Sequence, residues 1–398
     1  MREHLSALTR SLPQIKEVHS SDYGEHFSSR TLVSADSALC TNDFGVPTPL
    51  GRCNENQFSQ PFTGPDGALY VTWANFNNAE AFPQGEEGGD EGGGGDSAKA
   101  APNATTNDVP NDNHFQVLMA KSTDGGETFS APVKVGDYYD LPDCETYQNG
   151  LDPGRSCVPE KGATANSFFR AANYPVGAVN PRHAGQVVVT FASYINRHSN
   201  ESNGCAPEGF SEDTGNPLYT GVKTVGACNN DIVVSVSNNG GASFTGTSTD
   251  PRELATATSA KGQATSDQWF HWAAFTSDAK LAVSYYDRQY GNDEITGFSD
   301  FSLSGSRDLS RFAVTRVTSS SMPPPTQFTG TFWGDYTGLA AVTTAFPAWS
   351  DTRDPALFLC PGTGQPGVPP AVCQAPASNA AVANDQEIYA AEVRVPTP

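Results

Sequence analysis

The sequence predicts an all-β fold, a β-propeller built from four-stranded antiparallel blades. Two observations carry the prediction. The first is an eight-residue pattern, Ser-x-Asp/Asn-x-Gly-x-x-Phe, written at residues 20–27 (SSDYGEHF), 122–129 (STDGGETF) and 237–244 (SNNGGASF). In each copy the Asp or Asn can bond its own backbone two residues on, the glycine supplies positive φ, and the last aromatic can anchor the turn in a core. A hairpin turn that recurs at wide, similar intervals describes a modular array. The second is an alternating strand ending in an aromatic residue: Tyr70-Val-Thr-Trp73, Val188-Val-Thr-Phe191, Ala282-Val-Ser-Tyr285 and Phe346-Pro-Ala-Trp349.

Each aromatic strand follows a short turn, at residues 64–67, 179–185, 276–280 and 343–345, and each turn follows another β-like stretch such as 57–62 or 335–342. Two strands joined by a tight turn form a hairpin. After the aromatic strand come a variable stretch, a third strand such as 114–121 or 231–237, the octapeptide turn, and a fourth strand such as 131–135. That sequence of parts is a propeller blade. Five blades are visible: a partial one at 11–36, fuller ones near 57–135, 166–250 and 267–318, and a last one at 333–395. The first and last are incomplete, so residues 1–398 read as one domain that enters mid-blade. In the fourth blade the octapeptide has decayed to Phe312 ahead of a strand-like AVTRVT, and in the last it is missing.

The octapeptides resemble the Asp box (BNR repeat) of sialidase-like β-propellers, a fold that the family builds from six blades. Through the boxes and the blade pattern the resemblance covers most of the chain, and it implies exo-α-sialidase-like chemistry. In that family a tyrosine nucleophile, activated by a Glu, attacks the sugar, an Asp serves as acid/base, and three arginines grip the substrate carboxylate. A neutral phenol suits an anionic anomeric centre because it avoids carboxylate-carboxylate repulsion.

Composition agrees with a large core and many turns: 37% apolar residues, with 22 Phe, 13 Tyr and 5 Trp, beside 38 Gly and 29 Pro. A formal charge of −21 argues against nucleic-acid or anionic-membrane partners, which require a basic footprint. No apolar run is long enough to span a bilayer. Eight cysteines leave the connectivity open, and four local pairs are the simplest: Cys40/Cys53, Cys144/Cys157, Cys205/Cys228 and Cys360/Cys373. Disulfides point to an oxidising, extracellular compartment, and Asn103-Ala-Thr and Asn200-Glu-Ser are glycosylation acceptor patterns that fit it. The residues around Met1 carry no apolar signal-peptide core as written. No Cys/His spacing suggests zinc, and neither metal nor cofactor is expected.

Strand order decides which face each connection occupies. In an antiparallel blade the 1→2 turn and the octapeptide share one face, and the 2→3 and blade-to-blade connections share the other. The long excursions, residues 37–56, 75–113, 136–166, 196–230 and 354–386, all fall on that second face, and all four cysteine couples lie within them. Loops on a rigid scaffold are where recognition is built, and disulfides lower their ordering cost. Residues 85–113 are different: acidic, Gly-rich and low in complexity, they read as a disordered insertion, with calcium binding by their carboxylates as a minor alternative that lacks EF-hand spacing.

On the loop face, the starts of first strands and the ends of second strands lie near the propeller axis. The starts carry Asn54-Glu55-Asn56, Arg170, Asp267-Gln268 with His271, and Asp335-Tyr336; the ends carry Asn75-Phe76-Asn77, Ser193-Tyr194, Asp287-Arg288 and Asp351-Thr352-Arg353. By resemblance to the family's Tyr-Ser-x-Leu segment, the stretch from Gly334 to Leu339 makes Tyr336 the candidate nucleophile; otherwise it is a tyrosine packed between blades. Asp335 or Asp267 is the candidate acid/base, or else a turn cap. Arg170, Arg288 and Arg353 are the candidate carboxylate clamp, with Asp287 and Asp351 beside them; alternatively, Asp287-Arg288 and Asp351-Thr352-Arg353 are ion pairs tying blades together. A protein this acidic needs such a local cluster to hold an anionic sugar. His271 is either a satisfied core histidine or, with Trp269 and Trp272, part of a sugar-stacking surface. The family's Arg-Ile-Pro motif is absent, and no Glu stands out as partner for Tyr336. Three functions therefore stay open. They are a secreted glycosidase removing a terminal sugar, a non-catalytic propeller that binds glycan or protein through its loop face, and a chain-end glucanase using two of Asp267, Asp287, Asp335 and Asp351. Oligomeric state is not specified by any motif.

Overall fold

The second and third strands of each blade are written as near-continuous apolar runs, as in Val187–Ser193 (VVVTFAS), Asp231–Ser237 (DIVVSVS) and Leu281–Asp287 (LAVSYYD). Such strands must be covered on both faces. The computed structural model, which describes residues 14–43, 46–47, 51–79, 112–144, 147, 154–159, 161, 169–290, 298–323, 333–353, 355–356, 383–384 and 386–398, covers them by stacking sheet against sheet. Three four-stranded antiparallel sheets follow one another in simple meander order. The first holds Asn56–Thr63, Leu69–Asn75, His114–Ser122 and Val133–Tyr139. The second holds Val176–Val179, Val187–Ser193, Asp231–Ser237 and Ala255–Thr256. The third holds Gln268–Phe275, Leu281–Asp287, Asp300–Ser306 and Ala313–Arg316. A three-stranded sheet, Gly338–Ala341, Ala345–Asp351 and Glu387–Ala390, comes last, and a two-stranded ladder of Lys16–Glu17 with Thr31–Leu32 comes first.

First strands lie side by side around an axis: Val176–Val179 packs against both Asn56–Thr63 and Gln268–Phe275, and Gln268–Phe275 packs against Gly338–Ala341. This is the blade arrangement of a β-propeller. Close approach of the first two blades needs Gly177, where a Cβ would lie 2.0 Å from the Phe62 ring; its N–H donates to Gln60 Oε1 at 2.6 Å. The N-terminal ladder leans on the first blade through Val33, Val71, Trp73 and Leu118.

All three octapeptide turns make the same bonds. The Ser hydroxyl donates to the Asp or Asn two residues on (Ser20 to Asp22 2.7 Å, Ser122 to Asp124 2.7 Å, Ser237 to Asn239 2.8 Å). It also accepts from the glycine N–H at Gly24, Gly126 and Gly241, at 2.8 to 2.9 Å. The Asp or Asn accepts from the N–H four residues on. Two expectations change here. Phe244 is buried and Phe129 half-buried, but Phe27, in the loop between the strands of the N-terminal ladder, is 65% exposed. The fourth turn has not decayed to Phe312 alone: Ser306 donates to Asp308, Leu309 N–H donates to Ser306 Oγ (2.9 Å), and Asp308 accepts from Ser310 and Arg311 N–H. Leu309 takes the left-handed conformation (φ 63°) that glycine holds in the other copies, so a shortened sequence keeps the same bonding plan.

The registers place the short turns on one face and the long connections on the other. Thr63 pairs with Leu69 and Leu69 with Ser122 at one edge, while Asn56 pairs with Asn75 and His114 with Tyr139 at the opposite edge. On the loop face Cys40–Cys53, Cys144–Cys157 and Cys205–Cys228 are bonded, with Cα–Cα distances of 5.3, 5.5 and 5.1 Å. The Cys360/Cys373 couple lies outside the described residues, as do residues 85–111 of the acidic insertion. Its last two residues are described: Asn113 is buried and donates to the carbonyls of Gly209 and Leu218, both at 2.8 Å. The second blade begins at Val176 rather than near residue 166, and its fourth strand, Ala255–Thr256, runs beyond residue 250.

Candidate functional site on the loop face

A repeated cross-strand pair marks the loop-face edge of each blade. The second strand's end meets the third strand's start as Asn75–Gln116, Ser193–Asp231, Asp287–Asp300 and Asp351–Glu387. Polar groups buried at a sheet edge must find partners, and these do. Asn75 donates to Asn56 Oδ1 (2.9 Å) and Asn77 Oδ1 (2.8 Å) and accepts from Gln116 (2.8 Å). Asp231 accepts from Thr258 and lies 3.1 Å from His198 Nδ1. Asp300 accepts from Arg316 Nε (2.8 Å) and Ser321 (2.7 Å).

The acidic and basic residues singled out in the sequence fall into three separate settings. Asp267, fully buried, accepts from Asn230 N–H (2.8 Å) and faces two cations, Lys161 Nζ at 3.4 Å and Arg288 at 3.9 Å. Arg288 also donates to the Pro159 carbonyl (3.0 Å) and lies 5.4 Å from the centre of the buried Trp269 ring; Lys161 donates to the Cys228 carbonyl (2.6 Å). One carboxylate with two cations thus staples the Cys144–Cys157 and Cys205–Cys228 loop regions to the third blade. Asp287 does not pair with Arg288. It accepts instead from Gln263 (2.9 Å), Ser302 (2.7 Å) and the backbone and side chain of Gln289 (3.0 and 2.7 Å), and burial pushes its carboxyl upward. Asp351 is gripped by its neighbour Arg353 through Nε (2.9 Å) and NH2 (2.7 Å) and by Trp349 Nε1 (2.9 Å), while Arg353 NH1 reaches Ser319 (2.8 Å) near the third blade. Arg170 stands in a loop ladder opposite Cys157, half-buried, and not at a first-strand start.

What the fold does bring together at the axis is aromatic. The first strands of the first and third blades bulge at equivalent places, between Gln57 and Gln60 and between Trp269 and Trp272. In the bulges Phe58 (φ 55°) and Phe270 (φ 46°) hold left-handed backbone conformations, unfavourable for bulky side chains and characteristic of positions where a bulge re-aims a residue. Tyr174, just ahead of the second blade, is their meeting point. Its ring centre lies 6.2 Å from Phe58, 6.1 Å from Phe270, 5.4 Å from His271 and 5.7 Å from Tyr336. Thr337 donates to the Phe270 carbonyl (2.7 Å) and locks the last blade to the cluster. Tyr174, Phe270 and His271 are almost wholly buried, whereas Tyr336 is 61% exposed and the adjoining Asp335 half-buried. Burial lowers His271 to about 4, so the ring is neutral at physiological pH.

Sequence reading missed Phe58, Tyr174, Lys161 and Asp140. For Tyr174 a signal existed: Asn173-Tyr174 and Asp335-Tyr336 are matching dipeptides, each two residues before a first strand. Asp140 follows the first blade's last strand and accepts from Leu141 and Asn173 N–H (2.8 and 3.1 Å); burial pushes its carboxyl up to about 7. Among the described residues, metal-ligand atoms cluster at Asp22, Glu25 and His26, an exposed group whose Asp22–His26 bond (2.6 Å) belongs to the first octapeptide turn.

No family model matches the chain, and no curated protein matches it either. Solved structures that align with it do so at low similarity. A Hadza microbial sialidase is 11% identical, over 76% of this chain and 43% of that one, with a TM-score of 0.36. An α-L-arabinofuranosidase of Fusarium graminearum is 15% identical, over 79% and 60%, with a TM-score of 0.35. A protein of unknown function from Dyadobacter fermentans is 11% identical, over 96% and 84%, with a TM-score of 0.37. The chain thus spans about half the length of the first two.

Proposed function

We propose that this is an extracellular glycan-binding propeller whose loop face presents Tyr336 as a rigid stacking platform. The observation that carries the reading is the axial aromatic cluster. Four blades contribute Phe58, Tyr174, Phe270 with His271, and Tyr336, and Tyr336 is the one of these that stands mainly in solvent. An aromatic ring already held by buried neighbours offers a sugar its apolar face at little entropic cost, with the phenol as a polar handle. The Arg288–Asp267 and Arg353–Asp351 pairs act as structure in this reading, which leaves a glycan to be held by stacking and hydrogen bonds. Three disulfides fit an oxidising compartment, and no described helix is long and apolar enough to cross a membrane.

The second reading is a glycoside hydrolase that removes a terminal sugar, with Tyr336 attacking and Asp335 or Asp267 moving the proton. Its support is the adjacency of an exposed Tyr336 and a half-buried Asp335 at the start of the last blade. Asp267 would first have to part from Lys161 and Arg288. One experiment separates the two: glycan-array binding, followed by titration of the best ligand, alongside turnover of a fluorogenic sialoside by the wild type, Tyr336→Phe and Tyr336→Ala. Binding predicts no turnover, near-normal affinity for Tyr336→Phe and at least a roughly tenfold loss for Tyr336→Ala, about 1.4 kcal/mol. Turnover abolished by Tyr336→Phe would establish the hydrolase instead. Unchanged binding in Tyr336→Ala would remove Tyr336 from the site altogether.

A further inference from the structure

The face opposite the loops carries a cleft of about 460 Å³ between the third blade and the chain's last residues. One wall is built by the first turn and the outer strands of the blade, through Lys280, Arg307 and Thr315; the other is the segment from Val393 to Thr397, through Arg394 and Thr397. The segment is seated firmly. Val393 bridges to Ala345, Val395 is buried with Ala282, Leu303 and Leu339, and the Pro396 carbonyl crosses strand Asp300–Ser306 at Gly305, where a Cβ would lie 2.0 Å from it. In a chain with 23 basic and 44 acidic residues, three cations line one cleft and no carboxylate lines it. Asp278 stands to one side, 3.1 Å from Lys280 Nζ and 3.2 Å from Arg307, and leaves the group with two net positive charges. Every polar side chain lining the cleft is an N–H or hydroxyl donor.

The geometry points to an oxyanion-binding site here, one that takes a sulfate, phosphate or carboxylate group held by Lys280, Arg307 and Arg394 with hydroxyl support from Thr315 and Thr397. Guanidinium groups recognise planar or tetrahedral oxyanions through paired charge-assisted bonds, and a point-charge ammonium completes the set. The volume falls in the roughly 300–1,000 Å³ range of small-molecule sites, so it accommodates an acidic sugar or sugar ester as well as the inorganic ion. Half-buried Val393 offers apolar contact to such a ring. Because the bulk of the protein is negative, the site selects an anion through local donors and not through long-range attraction. Nothing in this site depends on Tyr336 or on the loop face.

The test is calorimetric titration at constant ionic strength with inorganic sulfate, inorganic phosphate, glucose 6-sulfate, glucose 6-phosphate and glucuronate. Saturable 1:1 binding is expected for at least one of these, and the arm that binds tightest identifies the head group and whether a sugar ring adds affinity. Arg394→Ala and Arg307→Ala, both at exposed positions, are each expected to weaken that binding about tenfold, whereas Tyr336→Ala leaves it unchanged. No saturable binding in any arm, or equal affinity in the two arginine variants and the wild type, overturns the assignment.

Discussion

Asp140→Asn should make the protein's stability less sensitive to pH, and its size follows from the site. Asp140 leaves the first blade and enters the Cys144–Cys157 loop; it is 8% exposed, and its carboxylate is served by two backbone N–H groups, those of Leu141 and Asn173. Burial raises it from the ordinary 3.8 to about 7. Well below pH 3.8 the carboxyl is neutral whether the chain is folded or unfolded, and burial carries no ionisation penalty. As pH rises toward 7 the unfolded chain ionises first, so folding must take up a proton and stability falls. Above 7 both states are ionised and the full penalty applies. A shift of about three units at about 1.4 kcal/mol each amounts to about 4 kcal/mol. The neighbouring phenols of Tyr138 and Tyr219, raised by burial, stay neutral throughout this window. Asparagine keeps the acceptor oxygen and never ionises. Denaturant unfolding of both proteins from pH 4 to pH 9 should therefore show near-equal stabilities at the acid end and a gap opening to about 4 kcal/mol, in favour of the variant, by pH 8. Other titrating groups cancel in the difference. A gap that stays constant across the range would refute the argument.

Two glycine exchanges should have opposite signs. Gly177→Ala forces a methyl into the Phe62 ring where two blades meet, and overpacking of this kind costs about 1–3 kcal/mol; a melting temperature equal to the wild type would show that the blades tolerate a wider spacing. Ala279→Gly relieves a left-handed residue (φ 65°) in the half-buried turn that Thr276 and Asp278 close, and should stabilise by about 0.5–1 kcal/mol, read as a rise in melting temperature; a fall would mean that the turn's strain is compensated elsewhere.

The blade plan was legible because it is local. The octapeptides close turns with bonds that span four residues, from Ser122 to Gly126 and from Asp124 to Thr128, so their sequence carries nearly all of their geometry. The second strands betrayed themselves by their alternation, their closing aromatic residue and the short turn before each, and three cysteine pairs were legible because each closes within one loop. The fourth turn escaped because Leu309 replaces glycine at a left-handed position, which no composition rule anticipates.

The candidate site was legible only in outline. Strand order alone assigned the long loops to one face, since antiparallel connections must alternate. It did not decide which polar residues there meet one another. Asp287 and Arg288 are adjacent in sequence, yet successive strand residues face opposite ways, and Arg288 turns to Asp267 and a loop carbonyl while Asp287 collects amides and a hydroxyl. Likewise, Tyr174, Phe58 and Tyr336 lie far apart in sequence and meet because first strands converge on one axis. The repeat, the turns and the face that carries the loops were thus determined by sequence, through bonds between near neighbours. The axial aromatic cluster and the buried pairing of charges were decided by tertiary structure, because packing between blades sets distances that no local pattern encodes.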